Sequence, residues 1–228
     1  MVNEFDLRQQ EFWKHTTNPR QYDHPVVRLF AQQRVRFIQR VLAPFQPKIA
    51  LDVGCGDGMS MHYMRSVAKV VHGCDRSATM IRANSARADG VIQCDAYFLP
   101  WADSSVDLVY CWELLHHLGD PRQAVEEMAR VAAKCVLICE PNSLNPAMFL
   151  FGCIRTEERG LLRFTPAYAR KLLESEGLQH VKCYTVGCFT PNRTPRGLAA
   201  LLALLPYRAP LLGMYTIAMG YKQGYEPG

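Results

Sequence analysis

The chain has 228 residues, a formal net charge of +5 and 49% hydrophobic residues, enough for one α/β domain with a sizeable core. That charge is modest, and its tightest arginine group (Arg28, Arg34, Arg36, Arg40) falls on one predicted helix, which reads as a solvated helix face and not a nucleic-acid footprint. No apolar run approaches the roughly eighteen residues a membrane span needs, because the longest, at 198–205, stops at Pro206.

In chain order, residues 26–42 carry apolar side chains at helical intervals and end before Pro44, which predicts a helix covering the sheet or the site. Strands and helices then alternate: strand 48–53, helix 59–67, strand 70–74, helix 78–88, strand 91–94, strand 106–110, helix 122–132 opened by Asp120 and Pro121, and strand 135–139. Such alternation predicts an α/β fold with a parallel sheet and right-handed crossovers. A helix over 166–176 stops at Gly177, and two further strands follow near 181–186 and 214–221. The leucine-rich stretch between them makes the final strand a hairpin partner that carries an insertion. The whole reads as one domain, 1–228, with an N-terminal cap at 1–45, a ligand-binding half at 46–141 and a half with apolar insertions at 142–228.

Residues 51–58 read Leu-Asp-Val-Gly-Cys-Gly-Asp-Gly, a strand end running into three alternating glycines. Glycine lets a backbone turn at positive φ and approach a ligand closely, so the octet predicts a nucleotide-type site. A dinucleotide fingerprint spaces its glycines Gly-x-Gly-x-x-Gly. Here Gly58 comes one residue early, with Met59 in the dinucleotide position. Asp52 would repel a pyrophosphate but attract a cationic amino-acid or sulfonium group, which points to S-adenosylmethionine.

Ligands of open parallel sheets bind beyond the carboxyl ends of the strands. Asp75 ends the second strand, where a carboxylate can take both ribose hydroxyls or, alternatively, cap the helix ahead of Ser77. Asp95 ends the third, placed either to accept from an adenine amino group, with Cys94 and Ala96 lining the ring, or to shape a turn. Cys111, Trp112 and Glu113 end the fourth and face the reactive end of the ligand.

The nine cysteines contain no Cys-x-x-Cys pair, and residues 1–10 are too polar for a secretory signal, so the expectation is a reducing cytoplasm and no metal site. Cys55, Cys74, Cys94, Cys111 and Cys139 sit near strand ends as small hydrophobes.

Four segments carry a resemblance to the class I S-adenosylmethionine-dependent methyltransferases, in particular the small-molecule branch that includes ubiquinone- and menaquinone-pathway enzymes. They are the octet 51–58, the acidic strand end at Asp75, the stretch 93–110, and the Glu-Leu-Leu-His-His-Leu-Gly-Asp-Pro run at 113–121. The match is strong over about 48–140, and over 166–221 only in the order of elements. The resemblance implies a Rossmann-like, seven-stranded, mostly parallel sheet with the last strand antiparallel and helices on both faces. It implies that Gly54, Cys55 and Gly56 contact S-adenosylmethionine through their backbones, with Asp52 near its amino-acid end. Asp75 would hold the ribose, Asp95 and Ala96 the adenine, and Arg76 and Met80 would flank the nucleoside. S-adenosylhomocysteine would be the product, and a member that keeps the fold without catalysis is the alternative.

For an acceptor hydroxyl, His116 and His117 are the candidate bases, unless the pair is a framework feature. Acceptor binding is expected from the first 25 residues (Trp13, His15, Tyr22, His24) and from 141–165 and 187–213. The apolar stretches 146–152 and 198–205 favour a lipophilic small-molecule acceptor or peripheral contact with a membrane interface, the alternative being packed helices. The fourth strand lacks the Asn/Asp-Pro-Pro-aromatic run of nucleic-acid base methyltransferases, which argues against DNA, while RNA or protein acceptors stay open.

Overall fold

The computed structural model of the protein describes residues 4–15, 22–84, 90–191, 194–210 and 212–225. Two helices, α1 (Glu4–His15) and α2 (Pro25–Leu42), precede the first strand. The sheet consists of β1 (Ile49–Val53), β2 (Val70–Asp75), β3 (Val91–Gln93), β4 (Val106–Trp112), β5 (Ala132–Pro141), β6 (Gln179–Val186) and β7 (Tyr215–Tyr221), in the order β3-β2-β1-β4-β5-β7-β6. Strands β1 to β5 pair in parallel, whereas β7 runs antiparallel to both β5 and β6. The remaining helices are α3 (Met59–Met64), α4 (Ala78–Ala83), α5 (Pro121–Val131), α6 (Pro146–Ile154), α7 (Pro166–Ser175) and α8 (Arg196–Leu202), with 3₁₀ turns at Leu115–His117 and Thr156–Arg163.

The period-two alternation of the strands divides the core. Leu108, Tyr110 and Trp112 of β4 and Leu137 of β5 face α2 and α3, while Val109 and Cys111 of β4 and Val136 and Ile138 of β5 face α5 and α7. Helices therefore cover both faces, as the resemblance implied, and Gly177 closes α7 at φ +72°. The expected helix 59–67 is shorter as α3, and that at 78–88 ends as α4 at Ala83, its residues 85–88 lying outside the described set. Helices α1, α6 and α8 had not been separated out by periodicity.

One reading is corrected. Arg34 is not on a solvated face: it is fully buried, with its guanidinium carbon 4.4 Å from the ring centres of Phe30 and Tyr215 and 4.5 Å from that of Trp112. Helix α2 lies across the end of β4, so the position that periodicity assigned to water is roofed by three aromatic rings.

The two insertions meet. Asn142 donates from Nδ2 to Gly213 O at 2.8 Å, Asn145 donates to Leu212 O at 2.6 Å, and the backbone N–H of Asn142 reaches Met214 O at 2.9 Å. The segment before α6 is thus stitched to the end of the β6–β7 insertion.

Candidate functional site at the carboxyl edge of the sheet

The turn after β1 needs its glycines for two different reasons. Gly54 has φ +75° and a Cβ there would stand 2.6 Å from a Leu114 methyl; Gly58 has φ +83° and a Cβ would stand 2.0 Å from Asn84 Oδ1. The turn is tied back to β2 by the Gly56 N–H, which donates to Asp75 Oδ2 at 2.9 Å. Asp75 Oδ1 accepts from Ser77 N–H at 2.7 Å, while the cap of α4 is Ser77 itself, whose side chain accepts from Met80 N–H. Burial raises the Asp75 pKa, opposed by these N–H groups. The carboxylate lines the cavity with its oxygens held by backbone N–H groups, where it can meet two vicinal hydroxyls.

A cavity of about 1080 Å³ opens here. Of the residues expected at a ligand, Gly54, Gly56, Asp75, Arg76, Met80, Cys94, Asp95, Ala96, Trp112, His116 and His117 all line it. Asp52, Cys55 and Cys111 do not, which corrects the places expected for the Asp52 and Cys111 side chains, whereas the expectation for Cys55 concerned its backbone. Asp52 is sealed in the core, accepting a hydrogen bond from the Ser60 hydroxyl. The Cys55 side chain packs against Met61 and Gly73, and the Cys111 thiol lies on the α5 and α7 side, 3.9 Å from Glu140. Cys55 thus fills space on the α3 side of the sheet and Cys111 on the α5 and α7 side, since alternation along β4 sends every second side chain to that face. Asp95 fits the turn reading, its Oδ1 accepting from Tyr97 N–H at 3.1 Å, and its Oδ2 lies 3.4 Å from Arg76 on the cavity wall.

Helix α1 crosses the mouth. Asp6 accepts from Tyr97 Oη at 3.1 Å and from Gly119 N–H at 2.7 Å, Gln9 donates to Glu157 O at 2.6 Å, and Trp13 O accepts from Ser77 Oγ at 3.1 Å. Trp13 lines the cavity and meets His117 edge-on. His15 pairs with Glu11 on the surface, Tyr22 stacks on His62, and His24 caps α2, so these three expected acceptor groups point elsewhere.

At the end of β4, Glu113 adopts φ +62° and lines the cavity. Its Oε1 accepts from Arg34 Nη1 at 2.9 Å and from Trp112 Nε1 at 3.2 Å. A non-glycine residue at positive φ is strained, and here a buried guanidinium holds it in place.

The two histidines are built differently. His116 has both ring nitrogens engaged, Nδ1 by Glu140 at 2.6 Å and Nε2 by Glu158 at 3.2 Å. Burial opposes its charge, but the two carboxylates outweigh burial and push its pKa up to about 10. A ring held this way has no free nitrogen for an acceptor's proton, unlike the base expected from sequence. Burial and then the neighbouring His116 push His117 down to about 3, and its Nδ1 has no hydrogen-bond partner. Glu140 could have been found by the same strand-end rule that found Asp95, since it stands at the end of β5. Glu158 and Arg34 carried no such signal.

The far wall of the cavity comes from α6 through Ala147, Met148 and Phe151, and from Met214 and Tyr215 at the β7 edge. The opposite side of α6 exposes Phe149, Leu150 and Ile154 at 52, 58 and 68%. Helix α8 lines nothing in this cavity. It packs on α2, with Gln33 donating to Ala203 O at 3.0 Å, and leaves Leu198, Leu201, Leu204 and Leu205 exposed. Among the described residues no helix is long and apolar enough to cross a membrane.

Residues 51–137 match the family model described as "Methyltransferase domain". A protein of Mycobacterium tuberculosis called a probable S-adenosylmethionine-dependent methyltransferase is 30% identical over 112 residues, covering 47% of this chain and 40% of that protein. A ubiquinone biosynthesis O-methyltransferase of Bordetella parapertussis is 30% identical over 156 residues, covering 63% and 64% respectively. In each case the match spans less than two thirds of the relative's own length. Among solved structures, a Thermotoga maritima S-adenosylmethionine-dependent methyltransferase described as a possible histamine N-methyltransferase superposes with a TM-score of 0.70 at 16% identity, covering 87% of this chain and 91% of that one. The sheet order with its antiparallel β7 defines the Rossmann-like methyltransferase fold. With that fold and these matches, the chain carries a methyltransferase domain over residues 51–137 and resembles the class I S-adenosylmethionine-dependent methyltransferases.

Proposed function

We propose that the protein transfers a methyl group from S-adenosylmethionine to an oxygen of a small lipophilic acceptor. The observation that carries this reading is the continuity of one cavity. It runs from carboxylates suited to a nucleoside (Asp75, Asp95), past Glu113, to an apolar wall of Ala147, Met148 and Phe151. The name of the Bordetella relative, an O-methyltransferase of ubiquinone biosynthesis, fits an acceptor of this kind.

When bound, S-adenosylmethionine supplies an electrophilic methyl carbon on a sulfonium. Gly54 and Gly56 let the backbone come close to it, Asp75 takes the ribose hydroxyls, and Asp95 with Ala96 meets the base. The acceptor lies on α6, where apolar side chains and the α1 roof keep water from the line of attack, so that much of the acceleration comes from positioning. Glu113, fixed by Arg34 and Trp112, accepts the acceptor's hydroxyl proton as the new O–C bond forms. The exposed apolar faces of α6 and α8 would let the protein rest on a membrane interface while it takes up such an acceptor.

Calorimetry and a labelled-methyl assay together test the reading. S-adenosylhomocysteine should bind the unmodified chain, and Asp75→Asn should weaken that binding without lowering the melting temperature. Glu113→Gln should keep S-adenosylhomocysteine binding and lose about 10²–10⁴-fold in methyl transfer to hydrophobic phenols. Binding without turnover on any acceptor would mark a non-catalytic module. Turnover confined to RNA, protein or polar acceptors would overturn the lipophilic assignment.

A further inference from the structure

Beyond the residues assigned to methyl transfer, the inner corner of the cavity gathers His116, His117 and Glu158, one ligand atom from each lying within 4.8 Å of the others. We infer that this corner is a site for a divalent transition-metal ion, held by two imidazoles and one carboxylate with its remaining positions open to the cavity.

The donor set chooses the class of ion. Two nitrogens and one carboxylate oxygen suit zinc, iron(II), cobalt(II) or manganese(II), and not the all-oxygen preference of calcium or magnesium. Three protein ligands with the other positions facing a cavity is the arrangement of a reactive metal site, whereas a structural zinc closes all four.

The surroundings are built for ligation. A histidine that binds a metal through one ring nitrogen generally hands the other to a carboxylate, which fixes its tautomer and ring plane. Glu140 does this for His116 Nδ1 at 2.6 Å, leaving Nε2 as the nitrogen turned toward Glu158 at 3.2 Å. Glu140 is itself held by the N–H groups of Leu114 at 3.0 Å and Leu115 at 2.7 Å, so the ring cannot swing away. The second observation concerns the other ring: His117 is only 9% exposed, yet its Nδ1 has no hydrogen-bond partner. A buried polar atom without a partner is costly unless something occupies its lone pair.

The third ligand comes from a segment pressed onto the histidine backbone. A Cβ at Gly160 would stand 1.8 Å from the His116 carbonyl oxygen, so only glycine allows Thr156–Arg163 to seat Glu158 against the pair. The charges agree as well, since Glu140 and Glu158 bring two carboxylates to one corner and a dication balances them. The sequence shows no metal motif because the ligands stand some forty residues apart, on two turns that meet only in the fold. That an acceptor oxygen would take one of the open positions rests on the methyl-transfer reading; the metal site does not.

The test uses the full chain, stripped with chelator and then titrated with zinc chloride or, for its visible ligand-field absorption, cobalt(II) chloride. One ion per chain is expected, with a cobalt spectrum displaced by stoichiometric zinc. His117→Ala and Glu158→Gln should each weaken binding by at least about tenfold, while circular dichroism and S-adenosylhomocysteine calorimetry show that each variant remains folded. If His117→Ala does not fold, His117→Gln is read in its place. Substoichiometric metal in the unmodified chain, or affinity unchanged in either folded variant, would overturn the site. Metal binding with no methyl transfer on any acceptor would instead leave the site standing and remove the methyl-transfer reading.

Discussion

Arg34 concentrates several costs in one side chain. A guanidinium with no exposure must recover its lost hydration, and here it does so through a 2.9 Å pair with Glu113 and three aromatic faces. Arg34→Leu should therefore destabilise the fold by about 3–5 kcal/mol in urea melts, because it leaves the strained Glu113 without its cationic partner. The double variant Arg34→Leu, Glu113→Leu should regain a substantial part of that loss; a double variant no more stable than the single one would show that the aromatic stacking, not the charge pair, carries the energy. A second residue, Asp107, ties three strands together: it accepts from the N–H groups of Lys48 and Ile49 at 2.8 and 3.1 Å and pairs with Lys134 at 2.8 Å. Burial opposes its charge, but Lys134 and the two N–H groups prevail and hold its carboxyl below the usual carboxylate range. A depressed native pKa stabilises the fold above the unfolded-state pKa, and that contribution is lost as pH falls through the native value. Asp107→Asn should thus cost about 1–2 kcal/mol at neutral pH. The melting temperatures of the two proteins should converge as the pH drops below about 4; a constant gap across that range would refute the linkage.

At the scale of elements, α1 is the piece that closes the cavity. Its hydrogen bonds run to Tyr97, Gly119, Glu157 and Ser77, on four separate segments around the rim, so it is a roof fastened on several sides. Removing residues 1–15 should raise the Kd for S-adenosylhomocysteine about tenfold, or about 1.4 kcal/mol. The circular dichroism of the sheet should stay as it was, and an unchanged Kd would mean that α1 covers the mouth without contributing to binding. The strands and their ends were legible in the chain because apolar runs, glycine spacing and terminal acidic residues are local signals. That is how Gly54, Asp75 and Asp95 were found together. Helix α1 was not legible, since its polar face and its few buried residues, Asp6 and Gln9, give no apolar stripe. Arg34 was misread for the complementary reason: periodicity reports which side of a helix is apolar and says nothing about aromatic rings arriving from β4 and β7.

At the scale of the molecule, β1 to β5 and their turns hold the stretch that matches the methyltransferase family model, and the elements after β5 supply the apolar wall of the cavity. The two halves differ in how they expose apolar surface. The first exposes Val70, Ile92 and Phe98 at separate places, while α6 and the α8 region present Phe149, Leu150, Ile154, Leu201 and Leu204 to the outside in groups. The seam between α6 and the β6–β7 insertion, sewn by Asn142 and Asn145 onto Leu212, Gly213 and Met214, bears on how such a protein diversifies. Each insertion supplies hydrogen-bond partners that the other uses, so the two act as a matched pair. A chimaera that imports one without the other would leave carbonyls at Leu212 and Gly213 with no donor, whereas an exchange of both would carry its own stitching and leave the sheet beneath untouched.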